Sequence, residues 1–392
     1  MTRPVRVGIT HGDINGVGYE IILKALSGEG FADLCTPVIF GSVKLISSYR
    51  KMLGITDFYF RQISSADGVE DGEINVVNIA NEDVRIEPGS PSPEAGRMAL
   101  LSLEKGVEAL TAGEIDVLVT APIDKNTIQS EEFHFPGHTE YLKDRIGNGA
   151  ESLMVLFAGN LRVALVTTHL PVGEVAASLT KEKIVERVEI FARSLKADFA
   201  CERPKIAVLA LNPHCGDNGL LGSEEKDVIA PAIEECVSKG ILAFGPYSAD
   251  GFFANGGATR FDGVLAMYHD QGLAPFKAIA GQTGVNFTAG LPFVRTSPDH
   301  GTAYDIAGKN VADPTSMREA IYNAIDIFRR RKIYEKAAEN PLRHQPDPRK
   351  SDKERRSPRD RQKDGQAEEN GKASTAGESA PDTAEQAKQA AD

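Results

Sequence analysis

Val5-Arg-Val-Gly-Ile-Thr-His-Gly-Asp-Ile-Asn-Gly-Val-Gly-Tyr-Glu20 runs from a short β-branched pattern straight into a glycine-rich turn. Gly12, Gly16 and Gly18 permit a tight strand-to-helix connection and close approach of a ligand to the backbone. Their spacing is not that of the dinucleotide-binding G-x-G-x-x-G motif, so the turn is a weak signal for a phosphate cradle. Outward from it, similar apolar runs recur at residues 37–41, 75–79, 116–120, 153–157, 162–168, 205–211 and 263–268. Helical patterns lie between several of them, at residues 93–113, 181–196, 223–238 and 315–331. The first of these carries Ser92 as N-cap, Pro93 at the first helical position and Gly113 just past the end. Most strand runs are continuously apolar, as expected of strands covered on both faces, which predicts an α/β fold with mainly parallel strands.

The chain has 392 residues and a formal charge of −12, which argues against a dedicated nucleic-acid binder. Residues 341–392 hold 11 basic and 11 acidic side chains, so the whole negative charge belongs to the first 340 residues. That terminal stretch contains one Leu, eight Ala and no aromatic residue. It cannot bury enough surface to offset the entropy of ordering, so a disordered charged tail is expected there. No apolar stretch reaches signal-peptide or membrane-spanning length, which predicts a cytoplasmic protein with no membrane partner. Cys35, Cys201, Cys215 and Cys236 form no C-x-x-C pair, so neither a disulfide framework nor a cysteine zinc site is suggested.

Ligands in open α/β sheets bind outside the carboxyl ends of the strands. Four of the eight histidines directly follow an apolar run: His11, His169, His214 and His269. The last three sit on separate strands, a pattern that suits a divalent metal with imidazole ligands or three separate structural histidines. Asp250 and Asp270 are candidates for a further ligand or for a partner orienting an imidazole. Gly137-His-Thr-Glu140 opens a helical pattern in which Thr139 reads as an N-cap, with His138 and Thr139 placed to donate to an anion. Further on, Lys277, Asn286 and Arg295 lie among glycines and prolines and suit a phosphorylated or carboxylated substrate. Asp305 sits in a loop of small residues, where a carboxylate that accepts from a ribose hydroxyl would favour NAD over NADP.

These segments follow one another in a familiar order. Gly-Asp-x-x-Gly-Val-Gly-x-Glu (12–20), Pro-Ile-x-Lys (122–125), Phe-Pro-Gly-His-Thr-Glu (135–140) and Thr-Thr-His-Leu-Pro (167–171) come first. Leu-Asn-Pro-His (211–214), Met-Tyr-His-Asp-Gln-Gly (267–272), Val-Asn-Phe-Thr (285–288) and Arg-Thr-Ser-Pro-Asp-His-Gly-Thr-Ala (295–303) complete the set. The series resembles the 4-hydroxythreonine-4-phosphate dehydrogenase (PdxA) family. The family's first turn carries proline where this chain has Ile14 and Tyr19, and Asp124 stands where Asn or Ser is common.

The resemblance implies a two-lobed α/β/α sandwich of isocitrate/isopropylmalate-dehydrogenase-like type with a cleft between the lobes. Residues 1–135 plus 290–340 would form the cofactor-side lobe, and residues 136–289 the lobe with metal, substrate and dimer contacts. It implies a homodimer whose active sites use both subunits, with His169, His214 and His269 as ligands to Zn²⁺, or to Mg²⁺ or Co²⁺. His138, Thr139, Lys277, Asn286 and Arg295 would hold the phosphorylated hydroxy acid. The segment with His300, Gly301, Thr302 and Asp305 resembles the adenosine loop of isopropylmalate dehydrogenases and would bind NAD. The implied reaction oxidises 4-phosphohydroxy-L-threonine at C3, followed by decarboxylation to 3-amino-2-oxopropyl phosphate in pyridoxal 5'-phosphate (vitamin B6) biosynthesis. Asp250, Lys125 or a metal-bound water would serve as general base. The competing expectations are a dehydrogenase for threonate or erythronate 4-phosphate, a phosphate acyltransferase of the same fold, and a three-histidine zinc hydrolase.

Overall fold

The apolar runs pair into a twelve-stranded sheet in the computed structural model, which describes residues 3–28, 30–81 and 83–340. Its strands are β1 (Val5–Thr10), β2 (Cys35–Gly41), β3 (Arg61–Ile63), β4 (Asn75–Asn78), β5 (Val117–Thr120) and β6 (Leu153–Ala158). They continue with β7 (Leu161–Leu165), β8 (Lys205–Leu209), β9 (Leu242–Tyr247), β10 (Gly263–Ala266), β11 (Val285–Ala289) and β12 (Val294–Pro298). The spatial order is β3-β4-β2-β1-β5-β12-β11-β6-β7-β10-β8-β9. Residues 1–135 and 290–340 thus supply one half of the sheet, and residues 136–289 the other. Residues Met1–Ala338 cluster as one unit and Glu339–Asp392 as a second. The expected tail, residues 341–392, lies outside the described residues.

Alternation along each strand sends side chains to opposite faces. Val7 and Ile9 of β1, Val117 and Val119 of β5, Val155 of β6 and Leu265 of β10 all join one core that crosses the whole sheet. The other face divides: Val38, Phe40 and Leu118 belong to one cluster, and Leu156, Leu165 and Leu209 to another. Helices cover both faces, the α/β arrangement predicted above. The Pro93–Thr111 helix starts as expected, with Ser92 Oγ accepting from Ala95 N at 3.2 Å.

The strands are mainly parallel, with a reversal in the middle. β11 is antiparallel to both β12 and β6, and β6 is antiparallel to β7. The carboxyl ends of the two halves therefore point in opposite senses, which corrects the picture of a single edge collecting every strand-end histidine. His11, at the carboxyl end of β1, is thus on the opposite edge from His169, His214 and His269; it is fully buried, stacked 4.9 Å from the Tyr19 ring, with Nδ1 2.7 Å from Gly12 O.

Burial lowers the His11 pKa to about 4, partly opposed by the Gly12 carbonyl. The unfolded chain, with an ordinary histidine near 6.5, binds the extra proton first, so stability falls as pH drops from about 6.5 towards 4. The slope due to this residue reaches at most about 1.4 kcal/mol per pH unit. Urea denaturation across that range should show the loss, and His11→Phe, which keeps the ring stack, should flatten it. An unchanged slope in the variant would remove His11 as the cause.

Candidate functional site

A cavity of about 200 Å³ opens where the apolar face of the sheet is interrupted, between its two clusters. Its floor is built from Thr120 of β5, Asn286 of β11, and Arg295 and Ser297 of β12. Asn286 pairs with Ser297 across the antiparallel ladder, and Arg295 lies beside Leu118 in the parallel one, so strand register alone brings these polar groups onto one face. The wall is the start of the helix His138–Ile146, with the segment from Ala121 to Lys125 beside it.

Arg295 is buried. Its Nε and Nη2 donate to Thr120 Oγ1 at 3.1 and 2.6 Å, and its Nη1 donates to Thr288 Oγ1 at 3.4 Å. None of the ion pairs among the described residues involves it. Burial pushes the guanidinium down to about 10, with Glu140 acting in the opposite direction, so it stays charged at neutral pH. Two further groups await a partner: His138 Nε2 and Asn286 Oδ1 are enclosed and make no hydrogen bond. Loss of solvent holds the His138 imidazole well below the ordinary histidine value, and the Arg295 and Lys125 charges add to the effect, so it is neutral. An uncompensated cation, a neutral imidazole and helix N–H groups in one cavity suit an anion such as phosphate in charge and donor type.

Thr139 does not cap the helix, contrary to the sequence reading. Gly137 occupies the cap position, and Thr139, one residue inside the helix, places Oγ1 3.4 Å from Thr288 Oγ1. Lys125 Nζ lies 3.4 Å from His169 Nε2, and both residues line the cavity. The His169 pKa is lowered by loss of solvent first and by Lys125 second. The His269 ring stands 6.1 Å from that of His169, and its Nδ1 is 2.6 Å from Asp270 Oδ1, which leaves Nε2 available. Lys277 is outside the cavity wall: Nζ donates to Asp299 O at 3.0 Å and pairs with Asp299 Oδ1 at 3.3 Å.

His214 and Asp250 line a different cavity, of about 580 Å³, together with Ser248, Tyr268 and Gln271. His214 opens a left-handed stretch, with φ of 53°, 54°, 76°, 42° and 56° from residue 214 to 218. Side chains other than glycine resist this conformation by roughly 1–2 kcal/mol each. The buried Glu225 anchors the preceding residues, accepting from Leu211 N and Asn212 N at 2.8 and 2.7 Å. Asp250 accepts from Ser248 Oγ at 2.6 Å, which, with the Gly251 N–H, lowers its pKa. Within one chain, then, two of the three candidate histidines are neighbours and the third is apart. Among the described residues no three His, Cys, Asp or Glu side chains gather as a metal cluster.

His300 and Gly301 reach the cavity. The rest of their loop is docked on the first turn: Val17 N donates to Thr302 O at 3.0 Å and Tyr304 OH to Asp13 Oδ2 at 2.8 Å. Asp305 is exposed beyond it. Sequence reasoning missed Thr120, Thr288 and Ser297. The available signal was weak: each is a hydroxyl at or near the end of a short strand run, with Thr288 and Ser297 two residues from Asn286 and Arg295. Among the described residues, no helix is long and apolar enough to cross a membrane.

The family described as "Pyridoxal phosphate biosynthetic protein PdxA" matches residues 33–324. A 4-hydroxythreonine-4-phosphate dehydrogenase from Bacteroides thetaiotaomicron is 55% identical over 351 residues, covering 90% of this chain and 96% of that protein. A relative from Oceanobacillus iheyensis, provisionally named D-threonate 4-phosphate dehydrogenase, is 38% identical and covers 83% of this chain and 99% of its own length. The crystal structure of the 4-hydroxythreonine-4-phosphate dehydrogenase from Klebsiella pneumoniae matches with a TM-score of 0.73 at 32% identity, over 83% of this chain and 98% of that one. The chain belongs to the PdxA family.

Proposed function

We propose that this protein oxidises 4-phosphohydroxy-L-threonine at C3 with NAD, the product losing CO₂ to give 3-amino-2-oxopropyl phosphate for pyridoxal 5'-phosphate synthesis. The observation that carries this reading is the buried, uncompensated Arg295 beside the unpartnered His138 Nε2 and Asn286 Oδ1. Arg295 and the first turn of the His138–Ile146 helix receive the phosphate. His138, Thr139 and Asn286 orient the rest of the substrate, and Lys277 is released from Asp299 to join them. The overall charge of −12 repels an anionic substrate, so these local groups must supply the attraction.

His169 and His269, the latter oriented by Asp270, suit a divalent cation in donor type, Zn²⁺ foremost and Mg²⁺ or Co²⁺ as alternatives. When bound, such an ion polarises the C3 hydroxyl and steadies charge on oxygen. His214 and Asp250, remote within one chain, would complete the set from a second copy, so we infer a homodimer with shared sites. Lys125, once it has given up its own proton, and Asp250 are the two candidate side chains to take the hydroxyl proton. His300, Gly301, Thr302 and Asp305 form the proposed NAD loop. A cytoplasmic setting fits the substrate and the reduced cysteines.

Reduced-nicotinamide absorbance should rise when the protein meets 4-phosphohydroxy-L-threonine, NAD and Zn²⁺ or Mg²⁺. Faster turnover of threonate or erythronate 4-phosphate would favour the second reading, which the Oceanobacillus relative's name supports. No reduction with any of the three would end the dehydrogenase reading. His214→Ala is expected to lose divalent-metal binding and turnover while circular dichroism stays native; full activity after chelation would exclude the metal. Asp305→Ala should erode the preference for NAD over NADP, and an unchanged ratio of kcat/KM values would remove Asp305 from cofactor selection.

A further inference from the structure

Arg295 is held by hydroxyls where a buried arginine would ordinarily meet a carboxylate. On the cavity face of the sheet, Thr288 of β11 lies across the antiparallel ladder from Arg295, and Thr120 lies two residues beyond Leu118, its parallel neighbour. Both threonines are fully buried. Thr120 Oγ1 takes Nε and Nη2, which form one edge of the guanidinium, and Thr288 Oγ1 takes Nη1. Three of the five N–H donors are thereby fixed, leaving two for a ligand. Thr288 in turn meets Thr139 Oγ1 at 3.4 Å, so the chain of hydroxyls continues to the helix at the cavity wall.

We propose that Thr120 and Thr288 are positioning residues that set the plane of Arg295 for a phosphate group while leaving its charge undiminished. A carboxylate at either position would grip the fork more strongly but would cancel the charge that the ligand must meet. A hydroxyl accepts the same N–H groups and remains neutral. Its own proton is free to donate, so the hydroxyl adds no repulsion towards an incoming anion. This inference rests on the reading of the cavity as an anion receptor.

Inorganic phosphate is the probe, titrated calorimetrically into the full chain. Thr120→Val is nearly isosteric and should weaken phosphate binding by about tenfold, the order expected when a charged donor loses a fixed partner. Thr120→Ser restores the hydroxyl and should bind within about twofold of the wild type. Thr288→Val, which removes the single longer contact, should give a smaller loss in the same direction and provides the test should Thr120→Val fold poorly. Arg295→Met separates the two levels of the idea. If Arg295→Met and the wild type bind phosphate alike, the anion receptor itself is wrong and the positioning role falls with it. If Arg295→Met abolishes binding while both valine variants retain wild-type affinity, only the positioning role is overturned.

Discussion

Between β12 and β6, the strand β11 runs antiparallel to both, pairing Asn286 with Ser297 on one side and with Leu156 on the other. That reversal joins two mostly parallel half-sheets whose strands point in opposite senses. It also fixes which side chains share a face at the seam, because a slip of one residue would move all of them to the opposite face. In the present register Val285 and Phe287 enter the continuous core, while Asn286 and Thr288 face the cavity. The seam is thus apolar on one side, which holds the halves together, and polar on the other, which creates the site.

Burial of Arg295 at this seam is expensive, because an ion removed from water loses several kcal/mol of solvation that neutral hydroxyls only partly return. The core must carry that cost, and it does so with a fully apolar face directly behind the site, including Val117, Val119, Val155 and Phe287. A guanidinium lowered to about 10 still keeps its proton at neutral pH, so the cavity is a standing positive charge in a protein of net charge −12. Closely placed local donors outweigh a diffuse field that salt screens within about 10 Å. The unpartnered atoms of His138 and Asn286 have the same logic: a ligand that satisfies them gains hydrogen bonds that the protein itself does not supply.

The outer parts of the fold were legible from sequence because local signals agree there with tertiary placement. The run Val5–Thr10 became β1 residue for residue, and Ser92 with Pro93 started the helix that their chemistry requires. The seam was not legible. β11 and β12 are five residues each, set among Gly284, Gly290, Pro292 and Pro298, and are not among the predicted strands, although they carry Asn286 and Arg295. Order along the chain likewise located the histidines at strand ends without revealing strand direction. Strand direction separates His11 from the other three, but His169, His214 and His269 follow the neighbouring parallel strands β7, β8 and β10; among these His214 alone opens a left-handed stretch, and it lines another cavity while His169 and His269 meet. The left-handed stretch that begins at His214 has no sequence signature of its own, because residues other than glycine adopt positive φ only when their surroundings, here Glu225 and Asn212, impose it.

The first turn shows how a chain can depart from its family's pattern and keep the same architecture. Tyr19, in place of a proline, stacks between His11 and Tyr49, and its OH accepts from Ser42 N at 3.0 Å. Tyr49 OH donates to Ile14 O at 2.5 Å, so the second departure is tied to the first through one aromatic ring. The stiffness that proline would have contributed comes instead from packing. It leaves Asp13 and Val17 where they must be to receive Tyr304 and Thr302, while Gly16 has no room for a side chain against the Thr302 carbonyl. The loop that continues from β12 and its Arg295 is therefore anchored at its far end by the turn that begins the fold. Order in β1 and order at the cavity are consequently parts of one mechanical unit.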